Sequence, residues 1–407
     1  MLSPPTQSKY VHYSPLVDRI RGEGADAWLT HYAAVAARER GEDVIILSVG
    51  DPDLQTPAPV LERAIAALHA GDTHYVPAAG RPALRQAIAR AHQARTGQHV
   101  DGANVVYLAG AQNALFVTSL CLAGPGDEVL TFEPLYPTYP ATIEVSGARL
   151  VRIPATSACR PDVSALPALV SARSRAILWA SPNNPSGVVL HADELEVIRE
   201  VARRHDLWLI ADEVYAGLAE GGRVPGLAAQ LPQQVVTLGS LSKSHAMTGW
   251  RAGWLVGPPA LARHAEHVAM CMLFGLPGFV QEAALGALAL ADEAEARIRA
   301  YCRARLARFS AGIEGLPGVR ALTPEAGMFM LLDVSASGLN GAEFVRALYA
   351  SQRVSVMDGG AFGRSTAGCV RICFATDERT LTAACERLRQ FCTHDLAAAR
   401  AGAARGD

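Results

Sequence analysis

Residues 235–256 read VVTLGSLSKSHAMTGWRAGWLV, and the chain is best understood outward from Lys243 at their centre. Of 407 residues, 37 are lysine or arginine, yet lysine occurs only at Lys9 and Lys243. Arginine stays protonated, whereas a lysine amine can lose its proton to its surroundings and attack a carbonyl. Lys9 stands in a polar, proline-containing leader, which leaves Lys243 as the reactive candidate. Beside it, Ser240 and Ser242 supply hydroxyls, Arg251 a rigid fork of donors, and Gly249 and Gly253 pliant backbone. These are the parts of a phosphate cradle next to a reactive amine. The bland alternative is a buried lysine flanked by serines in an ordinary turn.

The pattern S-x-S-K followed by G-x-R-x-G resembles the lysine signature of the class I and II aminotransferases, fold-type I enzymes that use pyridoxal 5′-phosphate. The resemblance runs from about residue 15 to about residue 392. It implies an α/β fold in which a large domain, with a mainly parallel sheet between helices, carries a smaller α/β domain. It also implies that Lys243 holds the cofactor while Ser240, Ser242 and Arg251 bind its phosphate.

Composition agrees with such a protein. Half of the residues are hydrophobic and the formal net charge is −2, so burial is ample and neither nucleic acid nor membrane is indicated as a partner. The amino terminus lacks the apolar core of a secretory leader, and no apolar run is long enough for a membrane span. A soluble, cytoplasmic protein is expected. The eight cysteines form no Cys-x-x-Cys pair, so no metal site and no disulfide framework is expected.

Taken in order, residues 16–41 predict a helix stopped by Gly41, after which VIILSVG empties into Gly50-Asp51-Pro52-Asp53. That loop resembles the family's GDPD turn, whose glycine backbone lies near the substrate carboxylate. Tyr75, taken alone, is a half-buried loop aromatic. The resemblance implies instead that it reaches the cofactor phosphate of a neighbouring subunit in a homodimer with shared sites. From Val105 onward, apolar strands alternate with helices, the pattern of a parallel sheet covered on both faces, with ligands beyond the strands' carboxyl ends. Every candidate residue is expected at such an end. Gly110, Ala111 and Gln112 open a helix directly after a strand, where free N–H groups attract an anion, and they resemble the family's phosphate turn.

Tyr136 matches the family's ring-stacking position, with Tyr139 or plain core packing as alternatives. In SPNNPSG, Asn184 resembles the asparagine that bonds the cofactor's phenolic oxygen; Ser186 replaces the usual threonine. Asp212 and Glu213 end the strand LWLIA, where a buried carboxylate needs a cationic partner. The D-E-x-Y spacing assigns the pyridinium partner to Asp212 and the phenol to Tyr215. No basic residue occurs from Met270 to Phe279, where dicarboxylate-specific relatives place an arginine. Arg371 interrupts the apolar run VRICFAT and calls for a carboxylate partner, either a protein side chain or, as the resemblance implies, the substrate.

The resulting domain expectation is an amino-terminal segment over 1–50 packing with the small domain, a large domain over 51–314 and a small one over 315–407, with a fraying alanine-rich tail. The expected reaction is transfer of an amino group from an L-amino acid to a 2-oxo acid, with Lys243, Asp212 and Tyr215 as the catalytic set. Gly50, Asn184 and Arg371 are expected to hold the substrate. Within the family the similarity is greatest to transaminases that use arginine and pyruvate; Glu23, Asp26 and Asp53 are candidate guanidinium contacts, with surface charge as their alternative role. Rival readings are another donor (kynurenine, aromatic or branched-chain), another reaction on the same scaffold (β-lyase, racemase, arginine oxidase or hydroxylase), or a regulator using the domain as a sensor. The last is disfavoured, because about forty residues before the GDPD strand are too few for a typical separate DNA-binding domain.

Overall fold

The computed structural model describes residues 12–20 and 25–403; Lys9, Glu23 and the side chain of Asp26 lie outside what is described. In chain order the strands are β1 (Ile45–Ile46), β2 (Val105–Ala109), β3 (Glu128–Phe132), β4 (Arg149–Ile153), β5 (Ser174–Ala180), β6 (Trp208–Asp212), β7 (Val235–Ser240), β8 (Ala252–Val256), β9 (Arg320–Leu322), β10 (Phe329–Asp333), β11 (Val354–Ser355), β12 (Met357–Asp358) and β13 (Cys369–Cys373). A seven-stranded sheet runs β2-β8-β7-β6-β5-β3-β4. All its pairings are parallel except those of β8 with β2 and β7, so β8 alone is reversed.

Strands of this sheet lie buried along nearly their whole length, because helices cover both faces. The two-residue period divides them cleanly: Leu178 and Ile210 enter one core with helices Ala111–Leu122 and Pro259–Leu273, whereas Ile177, Trp179 and Leu209 enter the other with helix Ala192–His205. That last helix carries Asp193 and Glu194 in its first turn and Arg203, Arg204 and His205 in its last, matching the helix dipole at both ends. Helix Pro82–Thr96 starts on a proline and stops at left-handed Gly97.

A second, antiparallel sheet runs β12-β13-β10-β9. Its core takes in Phe309, Phe344 and Phe391 together with Ile45 and Leu47 from the amino-terminal part. There β1 pairs with β11, and the Leu47 carbonyl accepts from the Cys373 amide at 2.8 Å. Helix Ala291–Ile313 buries Ile298, Cys302 and Phe309 in this same core.

The tail departs from expectation. Leu396–Ala403 is helical: alanine is the best helix former, Leu396 is buried, and the Arg400 guanidinium donates to the Ser337 carbonyl, which anchors a segment that composition alone marks for fraying. Among the described residues no helix is long and apolar enough to cross a membrane, and no His, Cys, Asp and Glu side chains cluster as a metal site.

Candidate active site

A cavity of about 210 Å³ opens above the large sheet. Gly50, Ala111, Gln112, Tyr136, Asn184, Asp212, Tyr215, Ser240, Ser242, Lys243, Arg251 and Arg371, twelve residues singled out from sequence, all line it. Carboxyl ends of β2, β3, β5, β6 and β7 deliver most of them. Arg251 precedes the reversed β8 and so arrives at the same edge from an amino end. Two positions break the expected rule: Gly50 follows the short β1 outside the large sheet, and Arg371 sits in the middle of β13. The smaller sheet closes the cavity from the other side.

Lys243 is half-buried, and its Nζ donates to the Gly50 carbonyl at 2.5 Å. Desolvation is the main cause that draws its amine down to about 8; Arg371 and Arg251 add a smaller push in the same direction. Burial therefore outweighs the neighbouring guanidinium groups in setting this amine. Gly50 must be glycine for this approach, since a Cβ there would run into the Phe329 ring.

Asp212 is half-buried, with its Oδ2 accepting from the Tyr139 hydroxyl at 2.5 Å and its Oδ1 from the Val214 amide at 3.2 Å. Burial raises its carboxyl above the usual range, while Tyr139 pulls it back. A cation in the cavity would remove that penalty. Glu213, the sequence-level rival, faces away into a separate small cavity with His92, Arg95 and His245, and desolvation lifts it to about 7. The strand's alternation thus decides between the two acids. The Asn184 amide lies 3.5 Å from the Tyr215 hydroxyl, so both aim at one point.

Arg371 is 2% exposed. Its Nη1 donates to Asn184 Oδ1 at 3.0 Å and its Nη2 to the Ser48 carbonyl at 2.5 Å, with Phe329 and Phe362 rings 4.3 and 4.9 Å from the guanidinium carbon. Both acceptors are neutral. Among the described residues no carboxylate pairs with it, and its buried Nε has no partner at all. A buried guanidinium with only neutral acceptors and an orphaned Nε retains the capacity to bind a carboxylate.

At the other end, Arg251 adopts left-handed φ and donates to the carbonyls of Thr248 at 2.7 Å and Ala109 at 3.2 Å, again without an acid. Gly110, at φ +83°, caps helix Ala111–Leu122, and a Cβ on it would collide with the Arg251 guanidinium. A Cβ on Gly253 would lie 2.5 Å from the Gly110 carbonyl carbon. The first-turn amides of Ala111 and Gln112 lack intrahelical partners. The Gln112 side chain is occupied elsewhere, bonding Thr142 and Thr138 at 2.7 Å each, so its contribution is backbone. Ser240 and Ser242 sit buried with their hydroxyls 2.8 Å apart. An amine, a half-buried lone carboxylate, a phenol with an amide and an unpaired arginine beside free helix amides together suit a phosphorylated pyridine aldehyde.

Tyr75 lies outside this cavity, 85% exposed, edge-on to Phe274 at 4.9 Å. Asp53 is also outside it, accepting the Tyr301 hydroxyl. Sequence reasoning missed Trp28, which lines the cavity from the amino-terminal segment, and the rings of Phe329 and Phe362; nothing local in an apolar run marks such long-range partners. The Tyr139 bond to Asp212 had a faint signal in the Tyr136-x-x-Tyr139 spacing, which sets the two rings 5.9 Å apart.

The model of the family described as aminotransferase class I and II matches residues 42–388. The chain is 46% identical, over 95% of its own length and 99% of the relative's, to arginine–pyruvate transaminase AruH of Pseudomonas aeruginosa. It is 33% identical to a probable aspartate/prephenate aminotransferase of Thermus aquaticus, covering 88% of this chain and 94% of that one. Among solved structures, the aspartate aminotransferase of Thermus thermophilus with maleate superposes with a TM-score of 0.88 at 29% identity, covering 93% and 99% of the two chains.

Proposed function

This chain belongs to the class I and II aminotransferases, pyridoxal-phosphate enzymes of fold type I, and from that premise we propose that it passes the amino group of L-arginine to pyruvate. The observation that carries the choice of substrates is the 46% identity to an arginine–pyruvate transaminase over 95% of this chain and 99% of that one. The absence of any basic residue from Met270 to Phe279 agrees with a donor that is not a dicarboxylate.

The bound cofactor supplies an electron sink for the substrate's α-carbon. Lys243 would bind it, and Asp212 would keep the ring nitrogen protonated. Asn184 and Tyr215 would hold the phenolic oxygen, and Tyr136 would pack against the ring. Arg251, Ser240, Ser242 and the amides at Gly110, Ala111 and Gln112 would hold the phosphate. Arg371 would take the substrate carboxylate, with the Gly50 backbone and Asn184 beside it. Lys243 Nζ, whose amine burial draws down to about 8, would serve as the base for the substrate's α-proton.

The unit is a cytoplasmic homodimer in which Tyr75 completes the partner's phosphate site. Support comes from the exposed apolar row Leu61, Ile65 and Leu68 on helix Ala58–His69 and from exposed Tyr75, Met270, Met272 and Phe274. The described end of the 1–50 segment, Ile45 to Leu47, joins the small carboxyl-terminal domain, with the large domain between.

The test is a donor screen with pyruvate as acceptor, scoring alanine formed and the change in cofactor absorbance on adding each amino acid. Arginine is expected to give the highest kcat/KM. A kynurenine, aromatic or branched-chain donor that outruns it overturns the substrate assignment, and ammonia or peroxide released without acceptor overturns the reaction type.

A further inference from the structure

Two thiols meet where the two sheets face each other. Cys159 sits at left-handed φ on the turn after β4, a turn closed by the Thr156 amide on the Arg160 carbonyl at 2.8 Å and the Cys159 amide on the Thr156 carbonyl at 3.0 Å. Cys369 opens β13. The pair packs with Leu331 of β10 in one small buried cluster, at 4% and 6% exposure. They come from positions 210 residues apart and from different sheets. On β13, Cys369 and Arg371 are two residues apart and so share one face.

The geometry points to Cys159 and Cys369 as a dithiol modification site, oxidised by a hydroperoxide to a disulfide that ties the turn after β4 to the strand bearing Arg371. The balance is two thiols and one hydrogen peroxide giving one disulfide and two waters. Sulfur of Cys159 attacks the peroxide and becomes a sulfenic acid as the O–O bond breaks and the first water leaves. Sulfur of Cys369 then attacks that sulfur, the S–O bond breaks, and the second water leaves with the remaining proton.

A surface cavity of about 680 Å³, lined by Pro154, Ala155, Ser365 and Ala367, lies along both segments a few residues before each cysteine, which brings solvent and small solutes close to the pair. Joining the sulfurs draws two packed side chains to a bonding distance of about 2 Å, a movement on the order of an ångström shared between the turn and β13. A displacement of that size at a substrate clamp costs about 100-fold in rate.

The experiment treats holoenzyme with hydrogen peroxide at low millimolar concentration, quenches with an alkylating agent, and digests it without reductant. Mass spectrometry is expected to find a Cys159–Cys369 linked peptide, with two thiols lost per chain. Amino transfer, measured with the best donor of the screen, is expected to fall at least tenfold and to return with dithiothreitol. Cys159→Ser and Cys369→Ala should each abolish both the crosslink and the reversible loss, while Cys271→Ser, at an exposed position, should leave them unchanged. Absence of the linked peptide in the unmodified sequence, which needs no variant to fold, overturns the proposal. So does a crosslink that leaves the rate unaltered, or a reversible loss that survives Cys159→Ser.

Discussion

Replacing Arg371 by lysine keeps the charge and removes the fork. A guanidinium offers five N–H donors. Two are engaged, by Asn184 and the Ser48 carbonyl, which leaves three for a carboxylate, the orphaned Nε among them. Lysine offers three donors in all; with the same two acceptors satisfied, one remains. A bidentate carboxylate uses two of the three free guanidinium donors and would find only one on lysine, so it loses one charge-assisted hydrogen bond, about 1.5–3 kcal/mol, or about 10- to 150-fold in kcat/KM. The assay compares the amino acid donor with the primary amine that lacks only its carboxylate, in Arg371→Lys and in the parent. The amino acid should lose by that factor and the amine should hardly change, with the cofactor spectrum intact. An equal loss for both substrates, or none for either, would refute the assignment of Arg371 as the carboxylate receptor.

Other expectations follow from the same geometry. In the cofactor-free protein the Lys243 amine titrates near 8 when folded and near 10.5 when unfolded, so unfolding takes up a proton between those values and stability rises with pH across that window. At pH 7 the buried ammonium costs about 3 kcal/mol, and Lys243→Met apoprotein should melt higher than the parent there, the gap closing by pH 10. Tyr139→Phe removes the hydroxyl that Asp212 accepts and raises that carboxyl further; cofactor dissociation, followed by absorbance on dilution, should become about tenfold easier. Gly110→Ala places a methyl against the Arg251 guanidinium at φ +83°, so it should lower the melting free energy by about 1–2 kcal/mol and weaken inorganic phosphate as a competitor of the cofactor.

Much of this site is written locally. Lys243 stands out because the chain otherwise spells positive charge with arginine, Arg371 because a cation interrupts VRICFAT, and Gly110 because a glycine separates a strand from a helix. Each of these is a conflict between a residue and its immediate surroundings, and such conflicts are visible without coordinates. What stayed hidden depends on contacts between distant segments. Nothing in LYPTYP says that the second tyrosine reaches Asp212, 73 residues on, and nothing in EAGMFM says that Phe329 lies over Arg371. The tail misled for a different reason: its low complexity suggested fraying, whereas Leu396 and Arg400 dock it. The sheet's architecture was legible because strands buried on both faces lose the polar alternation of a half-exposed strand.

The reversal of β8 has a mechanical effect. Lys243 and Arg251 hang from a single connection between β7 and β8, whose ends are pinned by the Ser240–Gly253 pairing, so the spacing of amine and phosphate grip is set by a short piece of covalent chain. Arg371 belongs to a separate sheet that reaches the cavity only by packing. Rocking of one body against the other would leave the first pair in step and move the third group alone.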